Sequence, residues 1–279
     1  MAHPHRDLRR CWQADVLGGD ADYADSAAEV VAGKVRSLQL MDQAILLDPN
    51  LADSYLARAD FRYYTNWDWP GAQRDLDTFA RLHPEPSYAA MQHQSRLFSA
   101  LGRIREAIAL DERSLELDPL SDNWGVLGYH HAVLGEYAEA RRALKRAYEL
   151  YPLNNHVNWY IGLTSLLEGK PTEAITEFDR SGGGFRLAGM AMAQFDAGQE
   201  AASLESLGNL KARFGDSYAY QIAAVHAWRG EADEAFAWLD RARAQRDASL
   251  IYIKFDPLLR KLHGDPRYGA WLKGMKLPP

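Results

Sequence analysis

The stretch from Trp124 to Pro152 constrains the fold more than any other part of the chain. Trp124, Leu127, Gly128 and His131 recur at i, i+3, i+4 and i+7, which is one stripe of a helix. Gly135, free to take positive φ, stands where that stripe stops, and Ala140, Leu144 and Ala147 begin a second helical stripe. Pro152 closes the unit by removing a backbone donor and pushing Tyr151 out of the α region, while Asn154 and Asn155 suit the cap of a following helix. Two helices about 8–10 Å apart need a gap in the side-chain layer where their axes approach, and Gly128 against Ala140 supplies it.

The same spacing recurs on both sides. Tyr55, Ala59 and Arg62 lead to Ala72, Leu76, Phe79 and Pro84, with one extra residue in the turn Asn66-Trp67-Asp68-Trp69-Pro70. There Asp68 is placed to cap and Pro70 to enter the first turn, and the two tryptophans read as fill between neighbouring units. Met91, Phe98, Gly102 and Ala107 mark the next pair, with Asp111 and Ser114 as weak core residues. After the central unit, Ile161-Gly162, Gly169, Ala174 and Phe178 keep the register. Leu187, Met190, Ala191 and Gly198 keep it loosely, and Ile222-Ala223, Gly230, Ala235, Leu239 and Ala242 restore it.

This pattern resembles the tetratricopeptide repeat, a helix-turn-helix unit of about 34 residues, with His131 in place of the usual tyrosine. The resemblance implies an all-α fold, a right-handed α-solenoid of antiparallel helix pairs with about six to seven units. Residues 1–24 are expected as an N-terminal segment with a short helix through Leu8, Cys11, Trp12 and Val16. The solenoid is expected over 25–248, entered by a helical run from Ser26 to Leu47 that Gly33 is placed to break. Residues 249–279 lie outside the period. Ser249 to Phe255 reads as an extended connector, and Asp256-Pro257 and Asp265-Pro266 each introduce a short helix, Leu258–Leu262 and Arg267–Met275. Their Leu258, Leu259, Leu262, Tyr268, Trp271 and Leu272 can cover the apolar face that the last repeat leaves open. The runs Ala227-Trp228-Arg229-Gly230, Ile253-Lys254-Phe255-Asp256-Pro257 and Gly264-Asp265-Pro266-Arg267-Tyr268 further resemble the C-terminal repeat regions of modular bacterial regulators. In those proteins the repeats follow a winged-helix domain, a nucleotide cyclase or a Ser/Thr kinase.

Composition bounds the function. With 32 Lys and Arg against 38 Asp and Glu, the formal charge is −6, which argues against nucleic acid as a partner and against RNA reading by helical repeats. A single cysteine excludes an internal disulfide framework, and the first twenty residues hold no apolar run suited to export or a membrane span, so the cytoplasm is the default. No phosphate-loop, dinucleotide, nucleophile-elbow or zinc-protease motif is present. Ser181-Gly182-Gly183-Gly184 lacks the lysine of a phosphate loop and reads as an inter-repeat loop. His130 and His131 point about 100° apart on a helix and cannot share a metal. The run Arg141, Arg142, Lys145, Arg146 reads as a solvated outer face. No enzyme activity, cofactor or metal is expected.

The resemblance implies a non-catalytic scaffold that holds a peptide or protein in the concave groove, lined by first helices. Self-association, as a homo-oligomer or a spacer in a multidomain regulator, is the alternative. Registering the units selects Gln92, Arg96, Tyr129, Trp159 and Tyr220 for the partner-binding groove, flanked by Tyr63 and His156, with Arg96, Tyr129, Trp159 and Tyr220 of the types that dominate binding energy when desolvated. A clamp of lysines, arginines and asparagines for a terminal carboxylate, known in some of these arrays, has no counterpart at these positions.

Overall fold

The computed structural model describes residues 27–277, with side chains from Arg36 onward. The short helix expected through Leu8 to Val16, the N-terminal segment 1–24 and the apolar positions Val30, Val31 and Val35 lie outside the residues or side chains described. Among the described residues there is no strand. The helices are α1 (Ala27–Leu47), α2 (Ala52–Phe61), α3 (Trp69–Leu82), α4 (Tyr88–Ala100), α5 (Ile104–Leu117), α6 (Asn123–Val133) and α7 (Tyr137–Leu150). They continue as α8 (Asn155–Leu167), α9 (Pro171–Phe178), α10 (Gly183–Asp196), α11 (Glu200–Phe214), α12 (Ala219–Arg229), α13 (Ala232–Gln245) and α14 (Pro266–Gly274). From α2 to α13 they pack as successive antiparallel pairs in an α-solenoid, each pair also touching the next. Gly33 does not break α1, because one glycine costs only about 1 kcal/mol, which a helix of 21 residues absorbs.

The turns follow the chemistry of their residues. Gly135, Gly169, Gly198 and Gly230 all take positive φ just after a first helix. Asp68 accepts from the backbone of Gly71 at 3.0 Å, with Pro70 in the first turn of α3, and Asn154 accepts from His156 at 2.9 Å. The extra residue in the first pair is absorbed by a π-turn, Arg62–Asn66, which ends with Trp67 at φ 51°. Within the pairs the small residues sit where the helices cross. A Cβ on Gly128 would lie 2.5 Å from Cγ of Leu144 and 3.2 Å from the carbonyl oxygen of Ala140, and one on Gly162 would lie 2.6 Å from Cδ1 of Phe178.

The α5–α6 contact shows how two polar core positions are held and changes which histidine is buried. Asp111 and Ser114 are fully buried, held by Asn123 Nδ2 at 3.1 Å from each and by His130 Nδ1 at 2.7 Å from Asp111. His130, rather than His131, is therefore the buried histidine. His131 turns toward the α6–α7 turn and meets Glu136 at 2.8 Å.

The segment after α13 does more than close the end. Pro257–Leu262, a 3₁₀ turn, packs on α12, and α14 meets α13 through Arg243 over Trp271 and Arg267 over Phe236. Leu258, Leu259, Leu262, Tyr268, Trp271 and Leu272 are all buried. Ser249 to Phe255 is not extended. Ala248–Tyr252 forms another 3₁₀ turn, capped by Asp247, because a lone segment with no strand to pair with satisfies its backbone through local i→i+3 bonds. This strap, residues 248–256, crosses the inner face of the array and reaches the π-turn and α4. Arg246 donates to the Thr65 carbonyl and the Asn66 side chain at 3.1 and 2.8 Å, and Trp69 Nε1 donates to the Met275 carbonyl at 2.8 Å. The last repeat thereby touches the first, and the solenoid closes into a ring.

Candidate functional site

The inner face is built by the first helices of the pairs. Tyr63 and Tyr64 come from the π-turn, His93 and Arg96 from α4, Tyr129 from α6, His156, Trp159 and Tyr160 from α8, and Tyr220 from α12. The strap supplies Tyr252, Phe255 and Asp256 to the same space. The ring of Tyr129 stacks on Tyr160 at 4.9 Å between centroids and meets Tyr252 edge-on at 5.7 Å and Phe255 at 6.1 Å. The Tyr220 hydroxyl donates to Asp256 at 2.9 Å, and its backbone N–H donates to Asp247 at 3.1 Å.

Of the seven residues expected to line an open groove, Tyr63, Tyr129, Trp159 and Tyr220 are buried, and Gln92, Arg96 and His156 keep partial exposure. All four covered residues are aromatic. Tyr129 and Tyr220 meet the strap directly, whereas Trp159 packs between Phe178 and Phe185 at 5.2 Å from each. Tyr63 packs on Tyr64 and its hydroxyl donates to Asp60. The sequence placed these side chains inward but carried no sign that the strap, more than a hundred positions beyond Tyr129, would cover that ring. Tyr64, Tyr160 and Tyr252 were missed, since they fall one position off the register or outside the repeats altogether.

Electrostatics divide this face in two. On one side Asp256 is buried, and although the Leu258 N–H and the Tyr220 hydroxyl favour its charge, burial pushes its carboxyl up to about 6. On the other, burial opposes the Asp60 charge, but His93 at 2.6 Å and the Tyr63 hydroxyl hold that carboxyl below its usual range. Burial also opposes the charge on Arg96, while the oxygens of Tyr64 and Tyr63 and the Asp60 carboxylate favour it, and the guanidinium remains a cation. Burial lowers His156.

Residues 126–182 match the family described as tetratricopeptide repeat. That stretch carries tetratricopeptide repeats. Among solved structures, this repeat array is similar to a chain of the APC/C hetero-tetramer Cut9–Hcn1, at 16% identity and a TM-score of 0.59, over 92% of this chain and 52% of that one. It is similar to a tetratricopeptide repeat protein from Parabacteroides merdae, at 12% identity and a TM-score of 0.59, over 97% and 99% of the two chains. It is also similar to PilW, a type IV pilus biogenesis factor, at 19% identity and a TM-score of 0.56, over 80% and 99%. At these identities the likeness shows the fold. The array spans about half of the Cut9–Hcn1 chain. No curated protein is similar enough to count as a match.

The outer face of the array offers a shallow cavity of about 220 Å³ between α7 and α9, lined by Arg141, Lys145, Tyr148 and Arg180 among others. Its arginines are already engaged, Arg141 with Glu168 and Arg180 with Glu177, so the basic run there carries little net field. No described helix is long and apolar enough to cross a membrane. Among the described residues, no cluster of three or more metal-type side chains occurs.

Proposed function

We propose that the array is a non-catalytic scaffold for a protein partner and that the partner meets its outer edge. The observation that carries this reading is a row of large apolar side chains left in water on successive inter-repeat turns. Leu117 and Leu120 stand at the α5–α6 turn, Tyr151 and Leu153 at the α7–α8 turn, with Leu120 at 61% and Leu153 at 92% exposure. The Tyr151 hydroxyl donates to the Leu120 carbonyl and ties the two turns into one surface.

Magnitude decides against an open concave groove as the principal seat. Leu250, Ile251, Ile253, Leu258, Leu259 and Leu262 are buried by the strap and the turn that follows it. At about 1.5–3 kcal/mol each, their burial sums to about 10 kcal/mol or more. A peptide binding at micromolar strength supplies about 8 kcal/mol, and whole domains are stable by only about 5–15. A peptide displacing the strap together with the turn that follows it would lose to them. From the expected groove, Gln92, Arg96 and His156 are the positions a partner can still touch. The resemblance of residues 227–268 to repeat regions of modular bacterial regulators supports a place beside a regulatory effector domain.

The test compares captured partners for the parent chain, for Leu120→Asp with Leu153→Asp, and for Gln92→Ala with His156→Ala. Loss of capture by the edge variant alone is expected. Full capture by a folded edge variant would refute the edge reading.

Self-association has its own observation, the exposure of Leu40, Leu46 and Leu47 on α1. Sedimentation of the parent and of Leu46→Asp with Leu47→Asp tests it. A dimer that the variant abolishes supports this second reading, and a monomer at all concentrations removes it.

A further inference from the structure

The apolar edge has a period. Each of the first four turns that lead into a first helix leaves a large apolar side chain in water: Leu51 before α2, Tyr88 at the start of α4, Leu120 before α6 and Leu153 before α8. Their exposure runs from 42% at Leu51 to 92% at Leu153. Scattered singly, such residues are ordinary, but one per repeat at the same place in the unit makes an ordered row. The row ends there, since the next two such turns, Arg180-Ser181-Gly182 and Gly215-Asp216-Ser217, expose no large apolar side chain.

The spacing of the row selects a shape. First helices touch directly from one pair to the next, as α2 touches α4 and α6 touches α8, so successive turns stand about 8–10 Å apart. Gln92 of α4 donates to Ser121 of the α5–α6 turn at 2.8 Å, and the Tyr151 hydroxyl donates to the Leu120 carbonyl, which holds neighbouring units in register. Seven residues of a helix advance about 10.5 Å and return to nearly the same face. An extended strand covers that distance in about three residues, which throws successive side chains to opposite faces. A helix therefore meets every turn with one apolar side chain, and a strand does not. The three steps of the row come to about 30 Å, the length of about twenty helical residues.

Charge selects the flanks. Residues 47–52, 82–88, 117–123 and 150–155 hold Asp48, Glu85, Asp118 and Asp122 but no lysine or arginine. Asp48 and Asp118 each accept a backbone N–H of their own turn, from Asn50 at 3.0 Å and from Leu120 at 3.2 Å, which fixes these carboxylates beside the apolar row. Such an edge attracts a cationic partner and repels an anionic lipid surface.

We propose that this edge docks an amphipathic helix of a partner protein, about twenty residues long, with an apolar residue at every seventh position and lysine or arginine beside that stripe. The inference rests on the edge reading given above and adds the shape and charge of the partner.

The experiment is a fluorescence anisotropy titration of the full chain into a labelled synthetic peptide of about three heptads, with leucine at every seventh position, lysine beside each leucine and alanine or glutamine elsewhere. Saturable binding at low salt is expected, with a gain of helical circular dichroism on mixing. A peptide of the same composition with its leucines at every fifth position, and one with glutamate in place of lysine, should each bind at least tenfold more weakly. Leu120→Asp with Leu153→Asp should weaken binding of the first peptide at least tenfold. Asp118→Asn with Asp122→Asn, which keeps the acceptor oxygens of the turn, should weaken it several-fold and reduce its salt dependence. No saturable binding of the first peptide, equal binding of all three, or unaltered affinity in either folded variant overturns the proposal. Capture of natural partners by the same leucine variant separates the two readings. Lost capture beside a peptide that fails to bind removes the helix and leaves the edge, whereas full capture removes the edge itself.

Discussion

Trp69 Nε1 donates to the carbonyl of Met275 at 2.8 Å, across 206 positions of sequence. The donor is buried at the start of α3 and the acceptor follows α14, so this bond is made only when the last repeat has curved back to the first. The contact changes what a solenoid means here. An open array is stabilised by nearest neighbours alone, whereas this one adds a contact between its ends and a strap across its middle.

Substitution of Gly128 by Leu should destabilise the chain by about 3 kcal/mol, because a side chain at that position starts inside Leu144 and against the Ala140 carbonyl. A thermal melt checks it. A midpoint within a degree of the parent would show that α6 and α7 can separate freely at their crossing.

Substitution of Tyr129 by Ala should cost about 3–5 kcal/mol in urea unfolding, the range for large aromatic truncations in a core. In an open groove the same change would leave stability untouched and weaken only binding. Here the ring packs on Tyr160, Tyr252 and Phe255, and its loss opens a cavity between two first helices and the strap.

The repeat itself was legible in the sequence because a helical period with a glycine at the crossing is a local signal, and Gly128 faces the Ala140 carbonyl as that spacing expects, with Leu144 closer still. The inward direction of Tyr129 and Tyr220 was legible for the same reason. Their covering was not. The strap has no period, and its defining contacts, Tyr252 with Tyr129 and Asp256 with Tyr220, join residues far apart in sequence. At Asp111 the register gave the core position but not its partners, since a buried carboxylate looks like a flaw until Asn123 and His130 are seen to hold it.

Asp256 gives a pH signature. Its carboxyl, ordinarily near 3.8, is pushed up to about 6 by burial, so between those values the folded chain binds more protons than the unfolded one. Its contribution to stability is therefore greatest below about 4 and is lost as pH rises through 6. Asp256→Asn, which cannot ionise, should be more stable than the parent at pH 7.5, by up to about 3 kcal/mol, and by only about 1 kcal/mol at pH 4.5. Denaturant titrations of both proteins at both pH values give the difference. An equal difference at the two values would place the ionised Asp256 in water.

Native-state hydrogen exchange tests the closed ring most directly. The amides of Ile253, Phe255 and Asp256 bond within the strap to the carbonyls of Leu250 and Tyr252, at 3.2, 3.0 and 2.9 Å. If the strap is part of the core, these amides exchange only with global unfolding, at free energies within about 1 kcal/mol of the core amides of α6 and α8. Strap amides that exchange several kcal/mol more easily, while α6 and α8 stay protected, would contradict it and restore an open concave groove.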